Sequence, residues 1–249
     1  MPVERGQVWQ LGRHRLMCGD ATSREDVETL LDGLIADLTL TDPPYGVNIV
    51  KNNQVGSSKF CERVGVERSP DLPIPKARQY DPVIGDENTD AARAHYNLAV
   101  EFSNNQVIFG GNYFADFLPV RKCWIVWDKQ NGKGNNFADG ELAWTSFNKP
   151  LKIYQWRWTG MIRKGKHAIE GKVRIHPTQK PVGVIQSILE DFSNEGVSVL
   201  DCFAGSGSTL IACEISNRTC YAMELSSGYC EKIIERWETL TGERACLVS

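Results

Sequence analysis

No Cys-x-x-Cys pair occurs among the eight cysteines of this 249-residue chain, so the spacing on which most zinc knuckles and dithiol redox sites depend is missing, and no metal is expected. No apolar run approaches the length needed to cross a bilayer, and no secretory leader opens the chain, which points to reduced thiols, a cytoplasmic setting and no membrane partner. An excess of positive charge is absent too. Lys and Arg number 28 against 31 acids, a net charge of −3, so composition by itself gives no reason to expect nucleic acid. There is no internal repeat and no low-complexity tract. The length suits a single domain, 1–249, able to bury a core without covalent staples.

What is present is unevenly distributed. Acids gather in the C-terminal part, whereas Lys149, Lys152, Arg157, Arg163, Lys164, Lys166, Lys172, Arg174 and Lys180 follow one another with a single intervening acid, Glu170. Such a run is usually a solvated face, but it also suits a phosphate backbone.

Apolar periodicity predicts a hairpin from Gln7–Leu11 and Arg15–Cys18 around Gly12, a helix over Arg24–Leu31, a strand at Leu38–Thr41 and a helix over Thr89–Phe102. Further strands are expected at Val107–Phe109, Trp124–Trp127 and Ile153–Trp158, with Trp127, Trp156 and Trp158 read as core aromatics. Between Asn48 and Pro82 the chain is polar and punctuated by Pro and Gly without a clear period. Together these elements predict an α/β fold, an open and mostly parallel sheet with helices on both faces.

Near the C-terminus, Val197–Phe203 reads as a buried strand running into the turn Ala204-Gly205-Ser206-Gly207 and the helical Leu210–Glu214. Glycines lacking Cβ let a ligand lie against the backbone. In a dinucleotide fingerprint the third glycine would fall at Leu210, which argues against that rival. Thr219–Glu224 is a second strand whose terminal acid, about 20 residues beyond the turn, is placed as a ribose ligand would be.

The apolar Leu38–Thr41 ends in Asp42-Pro43-Pro44-Tyr45. As a bland reading this is a turn closing a strand. Its chemical reading is a cradle for an aromatic amine, whose lone pair is delocalised into the ring. The Asp42 carboxylate and the Pro43 carbonyl can accept both amine hydrogens and so localise that pair. Prolines hold the acceptors extended, and Tyr45 offers a flat face for a base withdrawn from its stack.

These motifs and their order resemble the S-adenosylmethionine-dependent DNA amino-methyltransferases, in the beta subgroup in which the catalytic motif precedes the cofactor motif. The resemblance spans nearly the whole chain, with Cys202 where the family more often has proline. It implies the permuted Rossmann-like methyltransferase fold and S-adenosyl-L-methionine as cofactor. Asp42, Pro43, Pro44 and Tyr45 would be the catalytic loop. Asp201, Phe203, Ala204, Gly205, Ser206 and Gly207 would hold the methionine part, Glu224 the ribose and Asp20, after Cys18-Gly19, the adenine amine. Thr178 and Lys180, within His176-Pro177-Thr178-Gln179-Lys180-Pro181, would face the methionine carboxylate. Double-stranded DNA would be the partner, contacted by the segments 46–81 and 159–174 through Lys59, Arg63, Arg163, Lys164, Lys166, Lys172 and Arg174. A homodimer and a companion restriction endonuclease are further expectations. Asp at the head of the tetrapeptide leans towards N6 of a flipped adenine, with N4 of cytosine as the alternative. Methylation at cytosine carbon is disfavoured, since it requires a nucleophilic cysteine beside proline and none of the eight has such a neighbour. A protein that kept the fold and DNA binding but lost turnover is the rival of another class, and RNA or protein is a third substrate option.

Overall fold

The computed structural model describes residues 2–49, 83–131, 138–159, 162–170 and 175–248. Five neighbouring strands form its parallel centre: β2 (His14–Cys18), β11 (Thr219–Glu224), β10 (Ser198–Asp201), β3 (Ala36–Thr41) and β4 (Ser103–Phe109). β10 is buried at all four positions, as a parallel strand covered on both faces must be. Its side chains alternate between two cores. Val199 packs with α4 (Val182–Phe192), α5 (Ser208–Ile215) and α6 (Ser227–Thr241), while Leu200 packs with α1 (Arg24–Leu31) and Leu98 and Phe102 of α2 (Asp90–Phe102).

The local chemistry explains the helix ends. Ser23 caps α1 by accepting from the Asp26 N–H at 3.2 Å, and Asp32 closes it in the left-handed region at φ 53°. The α1 bounds agree with those expected from sequence, as does the hairpin of β1 (Val8–Leu11) with β2.

Both flanks depart from a purely parallel sheet. A strand that periodicity did not reveal, β6 (Gly140–Thr145), runs antiparallel between β4 and β5 (Trp124–Asp128). Another, β12 (Cys246–Leu247), pairs antiparallel with β1. The single strand expected at Ile153–Trp158 is divided into β7 (Lys152–Gln155) and β8 (Trp158–Thr159), the latter paired with β9 (Ile162–Arg163). The Trp156 N–H still bonds the Asp128 carbonyl at 3.0 Å as the last rung against β5, and its ring packs where a Cβ on Gly183 would stand. Trp127 and Trp158 are buried and Trp156 is partly buried, in line with their reading as core residues.

Candidate active site

Parallel neighbours end at the same edge of a sheet, so the residues following β2, β11, β10 and β3 are brought together without any further contrivance. Asp20, Glu224, Asp201 and Asp42 accordingly line one cleft of about 910 Å³, in the upper part of the range of small-molecule sites. β6 runs the other way, so it is its beginning, at Glu141, that reaches this edge, beside Lys129 just beyond β5.

At one end, the turn after β10 is shaped by backbone. Gly205 and Gly207 take φ 51° and 73°, a region that side chains disfavour, and the His176 ring lies 3.4 Å from where a Gly205 Cβ would be. Glu224 Oε2 accepts from the Gly205 N–H and Oε1 from the Ser226 N–H, each at 2.9 Å. Burial raises the Glu224 carboxyl to about 7, against the pull of the Ser226, Gly205 and Leu225 N–H groups. Asp201 ties this turn to the acceptor loop: its Oδ1 accepts from the Thr41 hydroxyl at 2.8 Å and the Phe203 N–H at 3.2 Å. Burial raises Asp201 to about 6, with the Thr209 and Thr41 hydroxyls and the Phe203 N–H opposing.

Asp20 lines the same end. Its Oδ1 accepts from the Thr22 N–H and hydroxyl at 2.9 and 2.7 Å. Phe203, Ala204, Ser206 and Thr178 also line the cleft, whereas Gly207 sits behind it as the N-cap of α5, close to Ile233. The Thr178 hydroxyl pairs with His176 Nδ1 at 3.1 Å, and the His176 ring lies edge-on to Tyr229 at 4.6 Å. His176, which the motif contains but to which no role was assigned, therefore places the Thr178 loop over Gly205.

The other end is made of charged side chains. The Tyr45 hydroxyl donates to Asp42 Oδ1 at 2.5 Å, and Lys180 Nζ donates to Asp42 Oδ2 and to the Tyr45 hydroxyl at 3.3 Å. The same ammonium lies 3.0 Å from Glu141 Oε2, and Glu141 Oε1 is 2.7 Å from Lys129 Nζ. Two acids and two lysines thus form one chain of alternating charge. Burial raises Asp42 above the ordinary carboxylate value, outweighing the attraction of Lys180. Burial opposes ionisation of Glu141 as well, but Lys180 and Lys129 prevail and hold it down at about 2. Lys180 is raised because Asp42 and Glu141 outweigh the penalty of its burial.

Lys180, placed by the resemblance at the methionine carboxylate, is engaged with Asp42, where α4 begins directly behind the acceptor loop and Ser208 holds the Lys180 carbonyl at 2.7 Å. Tyr45 is packed against other rings. Tyr113 stacks on it at 4.9 Å with 14° between planes, and a Cβ on Gly110, at φ 74°, would come within 2.2 Å of the ring. Asp86 fixes the chain after Tyr45 by accepting from the N–H groups of Gly46, Val47 and Ile49 at 3.0, 3.2 and 2.7 Å. Glu141, Lys129 and Asp86 were not found from sequence. Only the unusual Glu at the start of a short apolar segment could have marked the first.

Of the expected DNA contacts, Lys164 and Lys166 are exposed, with Lys164 over the Trp156 ring at 4.4 Å. Lys59, Arg63, Lys172, Arg174 and the Arg163 side chain lie outside the described residues, as does most of 46–81. Among the described residues no cluster of acids, histidines and cysteines suits a metal, and no helix is long and apolar enough to cross a membrane.

Residues 127–236 match a family model described as DNA methylase. YubD of Escherichia coli (strain K12), provisionally named a methylase, is 46% identical over 82 residues, which are 32% of this chain and 31% of that protein. The match thus spans about a third of that relative. The M1.HpyAVI structure in complex with SAM superposes with a TM-score of 0.51 at 22% identity, covering 89% of this chain and 98% of that one. PvuII DNA methyltransferase, titled cytosine-N4-specific, gives a TM-score of 0.51 at 14% identity over 93% and 94% of the two chains. The fold is therefore that of Rossmann-like DNA methyltransferases, and the family match agrees with the motifs.

Proposed function

We propose that this chain is an S-adenosylmethionine-dependent DNA amino-methyltransferase that methylates N6 of an adenine swung out of double-stranded DNA. The observation that carries the reading is the convergence of Asp20, Asp42, Asp201 and Glu224 on one cleft from four adjacent strand ends. S-adenosyl-L-methionine, when bound, supplies a methyl group on a sulfonium sulfur. The chain fits it: Gly205 lines the cleft with no side chain to fill it, the Glu224 carboxylate lines the same space as an acceptor for ribose hydroxyls, and Asp20 faces it for the adenine amine. Thr178 closes the methionine end. A sulfonium donor carries no phosphate, so carboxylates rather than cations line this part.

At the acceptor end, Asp42 and the Pro43 carbonyl take the two amine hydrogens, localising the nitrogen lone pair for in-line attack. Tyr45, backed by Tyr113, gives the extruded base a wall. No covalent enzyme intermediate is needed. The exposed Lys164 and Lys166 stand in the basic segment proposed to meet phosphates.

Incubating the whole chain and duplex DNA with methyl-labelled cofactor, then separating nucleosides by mass, tests the reading. Label on N6-methyldeoxyadenosine is the expected result. Label on cytosine would replace the acceptor with N4 of that base, the target named for the PvuII enzyme of like fold. Cofactor binding without transfer to any DNA would favour a non-catalytic DNA-binding protein, and preferential labelling of RNA or peptide would redirect the substrate class.

A further inference from the structure

Both oxygens of the acceptor carboxylate are already engaged. Asp42 Oδ1 accepts from the Tyr45 hydroxyl and Oδ2 from the Lys180 ammonium. An incoming amine that bonds to Asp42 crowds these donors, and moving Lys180 aside would strand a buried cation unless a second acceptor receives it. The Lys180 side chain is only 7% exposed, confined between the Phe109 ring at 5.1 Å and the Tyr45 ring at 5.6 Å.

A second berth is already built. Glu141 Oε2 lies 3.0 Å from Lys180 Nζ, yet it is buried and forms no hydrogen bond of acceptable geometry. Its carboxylate is held from the far side by Lys129, at 2.7 Å from Oε1, so the free oxygen stays aimed at the ammonium. A small rotation of the Lys180 terminus would exchange Asp42 Oδ2 for Glu141 Oε2 with no change in total charge.

We propose that Glu141 is a positioning residue for the acceptor site, receiving the Lys180 ammonium as the incoming amine takes its place on Asp42. This rests on the methyltransferase reading above and adds a residue to it. The assembly lets Asp42 be paired while the cleft is without substrate and become an acceptor when the base arrives. Lys129 serves as the fixed counter-charge that keeps Glu141 ionised through the exchange. The groups that face Asp42 are Lys180 before α4, Tyr45 on its own loop with Tyr113 behind, Glu141 on β6, Lys129 after β5 and Asp201 on β10.

The test compares the wild-type chain with Glu141→Gln and Glu141→Asp at saturating cofactor, which keeps Asp201 and Glu224 from setting the pH response through cofactor affinity. Glu141→Gln should lower kcat on the order of a hundredfold, the scale of a lost positioning contact, and leave the cofactor Kd, read by calorimetry, unchanged. Removing the neighbouring negative charge and leaving Lys180 wholly on Asp42 should also move the acid limb of kcat/KM for DNA to lower pH. Glu141→Asp keeps the charge but shortens its reach. It should show both effects to a smaller degree, and it decides the matter if the Gln variant does not fold. Wild-type kcat in either folded variant, or a loss of kcat with the acid limb unmoved, overturns the proposal. A wild-type chain that methylates no DNA overturns the parent reading instead.

Discussion

At the Glu224 end of the cleft the carboxylates are held by backbone N–H groups and threonine hydroxyls, whereas at the Asp42 end they are held by the Tyr45 hydroxyl and the ammonium groups of Lys180 and Lys129. The first arrangement is rigid, since its donors belong to a turn and a helix start. The second can rearrange, since an ammonium on a four-carbon stem has more than one acceptor within reach. In the proposed reaction the first end would hold the methyl donor still and the second would let the acceptor change partners.

Substitutions that act on one end and spare the other sharpen that contrast. The largest effect is expected from Asp42→Ala, which should lower kcat on the order of a thousandfold, as removal of a fixed acceptor does, and leave the cofactor Kd unchanged by calorimetry. Loss of cofactor affinity in that variant would mean the two ends are not separable. Tyr45→Ala should weaken binding to DNA with a mispaired target base by about 1–3 kcal/mol, measured by fluorescence anisotropy, again without loss of cofactor. Equal affinity for that DNA would remove Tyr45 as the wall of the base pocket.

Gly205→Val acts at the opposite end. A branched side chain at φ 51° is disfavoured by roughly 1–2 kcal/mol, so the cofactor Kd should rise about tenfold, while kcat at saturating cofactor stays nearer wild type. A drop in kcat that saturation does not relieve would contradict this.

The smallest effect concerns pH. Burial holds Glu224 at about 7, above its ordinary 4.5, and Asp201 at about 6, above its ordinary 3.8. Between those limits the folded chain binds more protons than the unfolded one. The contribution of these groups to cofactor-free stability is therefore full below the ordinary values and is lost as pH rises through about 6 to 7. Glu224→Gln should accordingly raise the cofactor-free Tm by a few degrees at pH 8 and by less at pH 5, followed by scanning fluorimetry, while weakening cofactor binding. An equal shift at both pH values would show that its ionisation is not the cause.

The same contrast explains what could be read from the amino-acid order. The backbone-held end consists of contiguous motifs, Asp201 to Gly207 and Thr219 to Glu224, whose geometry is local, so its strand, turn and helix were legible. Helix α1 was legible to its ends because Ser23 and Asp26 cap it locally. The charged end was only half legible. Asp42 and Tyr45 belong to one tetrapeptide, but Glu141 gains its place from the antiparallel insertion of β6, a long-range pairing that the short Gly140–Thr145 does not announce. Lys180 was identified as important, but its pairing with Asp42 was not legible, since that depends on where α4 docks rather than on its motif. The split of the expected Ile153–Trp158 strand was hidden for a like reason, since the Trp156 ring there packs against the distant Gly183.

The three N–H groups gathered by Asp86 carry a consequence for how such a chain can diversify. By stapling Gly46 to Ile49 against a residue 40 positions further along, that carboxylate anchors the backbone leaving Tyr45 from outside its own loop. Closing a longer loop costs little more than closing a shorter one, roughly 0.6 kcal/mol per doubling, so the anchor at Asp86 is expected to tolerate changes of length in the sequence that precedes it.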